Sequence, residues 1–232
     1  MKRRGFAASG LRRLGGRVRA CWPEKVAVLL GLTVGICAPY FTLQRVAAFP
    51  LRVLPVTPLD RWVAFDPRWV AAYLSLALLV PIAPLLASSR EELARYAKGL
   101  AILCLPCFAA FLLFPVAGPR PDAAPGHELY RALISWDGPR NAFPSLHAGL
   151  AVFSLLFAYR VTWEGLPRRD RLALGIFGSL WGAAILYSTL ATRQHWALDL
   201  APGALLAGAA HALAWRRVRR VAQPGALAVL NP

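Results

Sequence analysis

Apolar residues run along this chain in long blocks, not at alternating positions. Blocks at about 26–43, 69–87, 98–116, 145–162, 172–190 and 196–214 are each bounded by charge, Pro or Gly. A helix needs about twenty mostly apolar residues to cross a bilayer, with about seventeen as a lower bound. Each block therefore predicts one membrane-spanning helix. Pro81, Pro84 and Pro106 fall inside blocks, where membrane helices tolerate proline because neighbouring groups re-satisfy the freed backbone. No internal repeat and no separate soluble domain stands out. The expected architecture is all-α: a polytopic six-transmembrane-helix bundle over 26–215, preceded by a basic leader at 1–25 and followed by a tail at 216–232. The first block is long for the apolar core of a signal peptide and has no clear small-residue cleavage pattern after it, so it reads as a retained span. The connection at 44–68 carries Trp62 and Phe65, adjoins Trp69, and contains Pro55, Pro58 and Pro67. It predicts a strand-like loop or a short interfacial helix with its aromatics at headgroup level.

Composition supports the bilayer. Hydrophobic residues make up 57% of the 232 and charged residues 16%, whereas about a quarter of a soluble domain is charged. The polar surface is too small to cover a globule. A net charge of +16 ordinarily points to nucleic acid. Here the basic residues sit in short clusters between apolar blocks, not among exposed aromatics on one folded face, so nucleic acid is not the expected partner. Nineteen of the 27 Lys and Arg residues fall in the leader, the tail and two connections, one with Arg90, Arg95 and Lys98, the other with Arg160, Arg168, Arg169 and Arg171. Because Lys and Arg collect on the cytoplasmic side, both termini are expected inside. The connections at 44–68, 117–144 and 191–195 are then outside. The composition is compatible with a bacterial inner membrane. Cys21, Cys37, Cys104 and Cys107 are scattered, and the Cys104/Cys107 pair lies in an apolar block with no second pair to complete a metal site. They read as small apolar residues.

The candidate chemistry gathers at one end of the expected bundle. Phe114 to Pro121 leaves the third span, Asn141 to His147 enters the fourth, and Ser188 to Asp199 joins the fifth to the sixth. His195 and Asp199 are four apart at a helix start, hence one turn apart on one face. A carboxylate there fixes the imidazole tautomer and leaves the other ring nitrogen as a nucleophile. His147 is placed to give a proton to a leaving alkoxide and to take one from the incoming acceptor. Arg120 and Arg193 supply directed N–H donors for phosphate oxygens. Pro144-Ser145 opens a helix whose first amides and dipole favour an anion. Phosphoryl transfer draws mostly on positioning and electrostatics, and this set supplies both with neither metal nor cofactor. Asp199 falls just inside an apolar block, where an ionisable residue is costly and marks function. His127 and His211 read as solvated interfacial histidines, and Arg131 and Arg140 as loop charges. Asp122, Glu128 and Asp137 form a metal site only if their loop folds them together. A second class of reading is a non-enzymatic membrane protein, a haem-binding cytochrome or a lipid transporter. A transporter is expected to carry its polar groups at midplane; here they lie at one end.

These motifs resemble the type 2 phosphatidic acid phosphatase superfamily, which includes the vanadium haloperoxidases. Its signatures are Lys-x6-Arg-Pro, Pro-Ser-x-His and Ser-Arg-x5-His-x3-Asp. Arg120-Pro121 matches the end of the first, Pro144-Ser-Leu-His147 the second, and Ser188 with His195 and Asp199 the third. The family Lys is replaced by Leu113 and the family Arg by Thr189, and Arg193 is the expected substitute for one of them. The form of the second signature and the missing cations resemble the branch of inositol phosphorylceramide synthases, which transfer a head group between lipids. The resemblance implies that His195 is the nucleophile and His147 the general acid. It implies a lipid phosphate or phosphodiester substrate, with Arg120, Ser145, Ser188 and Arg193 near its phosphate and a phosphohistidine as intermediate.

Overall fold

The computed structural model describes residues 12–46, 48–121, 124, 126–163 and 166–216. The leader residues Lys2, Arg3 and Arg4, the loop residue Asp122, and the tail residues Arg217, Arg219 and Arg220 lie outside the described residues. Six helices are long and apolar enough to cross a membrane: Trp22–Leu43, Pro67–Leu85, Arg90–Leu113, Leu146–Trp163, Arg168–Ala191 and Ala197–Trp215. The chain is a polytopic all-α membrane protein. We refer to these helices as the first to sixth spans.

The fourth span lies at the centre, packed against the sixth, fifth, second and third. It is apolar nearly all round, and a helix with that pattern belongs inside a bundle. Phe153 and Phe157 from it share one buried cluster with Leu100 and Leu103 of the third span, Ile185 of the fifth and Ala207 of the sixth. The first span is peripheral: none of its apolar window is buried, against 56% for the fourth.

Several boundaries differ from those expected from apolar blocks. The third span begins at Arg90, eight residues before the expected start. Ser89 caps it by accepting the Glu92 amide at 3.2 Å, and Glu91 and Glu92 favour the positive end of the helix dipole. Capping, not hydropathy, sets that end. The second span starts at a cap made by Asp66, whose carboxylate takes the Arg68 amide at 3.0 Å and the Arg68 guanidinium at 2.9 Å. The Arg68 bonds hold the Asp66 carboxyl below its ordinary range. This span is interrupted at Ser75, between helices Val70–Leu74 and Leu76–Leu85. Ser75 Oγ donates to the Ala72 carbonyl at 2.6 Å and accepts from Trp181 Nε1 at 2.8 Å.

The connections hold more structure than the sequence suggested. Residues 44–68 contain both expected forms. A strand, Arg52–Val53, pairs in parallel with Val116–Ala117, and a helix, Pro58–Trp62, is closed by a capping box between Thr57 and Asp60. Of the three aromatics expected at the headgroups, Trp62 is 85% exposed. Phe65 packs edge-on against Tyr130 and Trp69 against Tyr187, at 5.5 and 4.7 Å between centroids, so tertiary partners draw both inward. The connection at 117–144 carries an amphipathic helix, Glu128–Trp136. Glu128 is taken up by an ion pair with Arg131, and Asp137 by hydrogen bonds described below. These two do not meet as metal ligands, and no metal-binding cluster occurs among the described residues.

One close approach fixes the fourth span against the sixth. A Cβ on Gly203 of the sixth span would lie 2.2 Å from the Ser145 carbonyl oxygen, so two backbones touch where a side chain has no room. Gly203→Ala is expected to force the fourth and sixth spans apart and to cost about 1–3 kcal/mol, as overpacking does. Thermal unfolding of the purified variant in detergent checks this; an unchanged melting temperature would mean the two spans are free to separate.

Candidate active site

Three segments distant in sequence are stitched together at one end of the bundle. The Ala142 amide donates to the Val116 carbonyl at 3.1 Å, tying the exit of the third span to the entry of the fourth. The Ser145 amide donates to the Asp199 carbonyl at 3.0 Å, tying the fourth span to the first turn of the sixth. Ser145 Oγ accepts from the Ala148 amide at 3.1 Å, so it caps the fourth span.

The link from the fifth to the sixth span is short and strained. Arg193 has φ 54°, a left-handed conformation that costs an L-residue about 1–2 kcal/mol. It turns the chain just past the end of the fifth span, where glycine is usual. Its guanidinium compensates: Nη1 donates to the Asp60 carbonyl at 2.8 Å and Nη2 to the Val63 carbonyl at 2.7 Å. The Thr189 carbonyl then accepts both the Gln194 and His195 amides, at 3.0 and 3.1 Å. His195 is thus delivered on a backbone held from two sides.

At the centre, the His147 and His195 rings have centroids 5.8 Å apart. His195 Nδ1 lies 3.2 Å from Asp199 Oδ1. The distance is that of an ion pair, without hydrogen-bond alignment, and neither atom has another hydrogen-bond partner. Catalytic hydrogen bonds are often loose before substrate tightens them. Asp199 Oδ2 accepts the Trp196 amide at 3.1 Å, which pins the carboxylate against the helix start. Asp199 is fully buried and His195 is 4% exposed. With Nδ1 turned to the carboxylate, Nε2 is the ring nitrogen left for chemistry. His147 stacks face to face on Tyr73, with centroids 4.0 Å apart and planes 13° apart.

The expected phosphate-binding residues are largely engaged elsewhere. Arg120 Nη1 donates to the Asp137 carbonyl at 2.5 Å, leaving other N–H groups of its five. Arg193 is committed to the 60–63 backbone. Ser188 Oγ donates to the Ile185 carbonyl within its own helix at 2.6 Å, and Ser145 is a cap whose own amide is not free. Leu113, at the position of the family Lys, is 58% exposed on the outside of the bundle. Thr189, at that of the family Arg, is buried with its hydroxyl on the Leu186 carbonyl.

Other residues around the site belong to none of the three signature segments. Asp60, fully buried, accepts the Ala197 amide at 2.8 Å and so caps the sixth span from the 44–68 connection. The Thr57-x-x-Asp60 spacing of a capping box was the available signal. Asp137 accepts hydrogen bonds from Tyr40, Gln44 and Tyr73. Tyr130 packs nearby with its hydroxyl buried; burial pushes its phenol up, and the charge of Arg120 offsets part of that. An apolar groove of about 160 Å³ runs between Ile36, Cys37 and Phe41 of the first span and Leu146 and Leu150 of the fourth, with Tyr40 and His147 also lining it.

Comparison with known proteins places this site in context. The model of the PAP2 superfamily matches residues 59–213, a stretch that contains both histidines, Asp199 and Arg120. No curated protein and no solved structure matches the chain.

Proposed function

The chain belongs to the PAP2 superfamily, and from that premise we propose that it transfers phosphoryl groups of membrane lipids through His195. Membership supports phosphatase-type activity in general; the lipid, the residues and the acceptor are our reading. The observation that carries it is the His147–His195–Asp199 arrangement, two imidazoles 5.8 Å apart with a carboxylate 3.2 Å behind one of them.

In this reading His195 Nε2 attacks phosphorus and the bond to the leaving alkoxide breaks. His147, protonated, gives its proton to that alkoxide. Asp199 stabilises the positive charge that grows on the His195 ring. Water or an alcohol then attacks the phosphohistidine, surrendering its proton to His147 and restoring the enzyme. The apolar groove lined in part by His147 supports a lipid substrate, because an acyl chain fills such a wall while its phosphate reaches the imidazoles. The positive-inside pattern supports cytoplasmic termini and a site at the outer leaflet.

We also propose head-group transfer from a phosphodiester, as in the inositol phosphorylceramide synthase branch, over release of phosphate. Leu113 and Thr189 remove two cations from the pattern, and Arg193 is bound to carbonyls. A dianionic monoester calls for more positive charge than remains. The test is a panel of lipid phosphomonoesters and phosphodiesters, assayed with and without polyol acceptors for free phosphate and for exchanged head group. Exchange from a diester exceeding phosphate release is expected. Efficient phosphate release with no exchange would overturn the transfer reading and leave a lipid phosphatase.

A further inference from the structure

The proposed mechanism does not use Asp137, yet three side chains donate hydrogen bonds to this carboxylate beside the site. It is 4% exposed, at the end of the Glu128–Trp136 helix. A buried carboxylate is costly unless donors surround it. Here they come from two spans. Oδ1 accepts from the Tyr40 hydroxyl at 3.0 Å and from Gln44 Nε2 at 2.6 Å, and Oδ2 accepts from the Tyr73 hydroxyl at 3.2 Å. Gln44 is itself fixed, because its Oε1 accepts the Gly138 amide at 3.1 Å. The backbone of Asp137 is equally occupied, since its carbonyl takes Arg120 Nη1 at 2.5 Å.

Two of these contacts lead to groups with chemical roles. Tyr73, 2% exposed, presents its ring face to His147 at 4.0 Å with planes 13° apart. An imidazole on a χ2 torsion has a broad rotational well, and a ring face locked beside it narrows that well. Tyr73 serves this purpose only if its own ring cannot swing, and the Asp137 carboxylate holds the far end of that ring. The other contact presents Arg120. The first span takes part as well: Tyr40 and Gln44 lie outside the family-matched stretch of 59–213, yet both bind Asp137.

We propose that Asp137 is a positioning residue for this site, holding the His147 ring through Tyr73. The proposal rests on the phosphoryl-transfer reading above. A clamp that serves the fold alone would affect all substrates alike. A clamp that aims His147 affects those whose leaving group needs a proton.

The experiment compares kcat/KM for dioctanoyl phosphatidate, which leaves as an alkoxide, and for p-nitrophenyl phosphate, which leaves without protonation. The full-length protein and its Tyr73→Phe and Asp137→Asn variants are purified in detergent, with His195→Ala and His147→Ala as controls. The ratio kcat/KM reports steps up to phosphohistidine formation, so later hydrolysis does not mask the effect. Tyr73→Phe keeps the stacked ring and removes only the hydroxyl. It is expected to lower kcat/KM about 10-fold on phosphatidate, less than the full general-acid contribution, and to leave p-nitrophenyl phosphate within about 2-fold. Asp137→Asn is expected to show the same selectivity with a larger loss. Where Asp137→Asn fails to fold, Tyr73→Phe carries the test. Wild-type rates on both esters, or equal losses on both, would overturn the positioning role while the histidine controls uphold the transfer reading. Full activity of His195→Ala and His147→Ala would overturn that reading and the positioning role with it. A wild-type protein inactive on both monoesters is compared in the same way on the phosphodiesters dioctanoyl phosphatidylinositol and p-nitrophenyl phosphocholine, and inactivity on these as well would overturn both.

Discussion

Replacing His195 with alanine is expected to abolish turnover on every lipid phosphoester the protein accepts, by about four orders of magnitude in kcat or more, as removing a nucleophile does elsewhere. The protein should still insert and fold. The His195 side chain contributes no aligned hydrogen bond to the fold, and its amide bond to the Thr189 carbonyl survives the change. Thermal unfolding in detergent should therefore stay close to wild type while activity disappears. Protein quenched in alkaline detergent, where a phosphohistidine survives, should also lose the labelled phosphoenzyme that wild type forms from radiolabelled substrate. Asp199→Asn should fall between the two. An amide still accepts the Trp196 amide bond, so the helix start persists, while the imidazole loses its charge partner. If His195→Ala turned over substrate at the wild-type rate, the nucleophile would have to be sought elsewhere.

His147→Ala is the second large effect, expected at about 10²- to 10⁴-fold, the range of general acid–base catalysis. Its signature differs from that of His195→Ala. The nucleophile and its carboxylate remain, so phosphohistidine should still form from an ester with a good leaving group. Its breakdown should then be slow, because no base accepts the proton from water or alcohol. A variant that accumulates phosphoenzyme from p-nitrophenyl phosphate but not from phosphatidate is the expected result. Absence of phosphoenzyme from both would assign His147 a part in the attack itself. Its position favours the proton role: the ring lies against Tyr73 and the apolar groove, where the proposed function puts a lipid leaving group.

Much of this architecture is legible from the chain because the bilayer imposes it. Six apolar blocks gave six spans, and their register errors have one cause. Hydropathy marks where a helix meets hydrocarbon, whereas Ser89, Asp66 and Pro167 mark where its backbone actually begins. Histidine pairing was equally legible. The four-residue spacing from His195 to Asp199 places the two on one helical face wherever the helix lies, and the structure puts them 3.2 Å apart. The fate of the cations was not legible. Arg193 has the right type and place to meet a phosphate, but it lies next to a left-handed turn whose nearest acceptors are the Asp60 and Val63 carbonyls. Which carbonyls a guanidinium meets is a property of folded loops, and no spacing rule encodes it.

The sequence by itself determined the six helices, their common lipid environment and the local pairing of His195 with Asp199. Each follows from periodicity, length or i,i+4 geometry. Tertiary structure alone decided that His147 faces His195, because that depends on Gly203 letting the sixth span touch Ser145. It alone decided that Asp137, outside every motif, gathers Tyr40, Gln44 and Tyr73 behind the site. A buried carboxylate finds donors wherever packing brings them, here from spans roughly sixty to a hundred residues away, and such partners are invisible until the chain has folded.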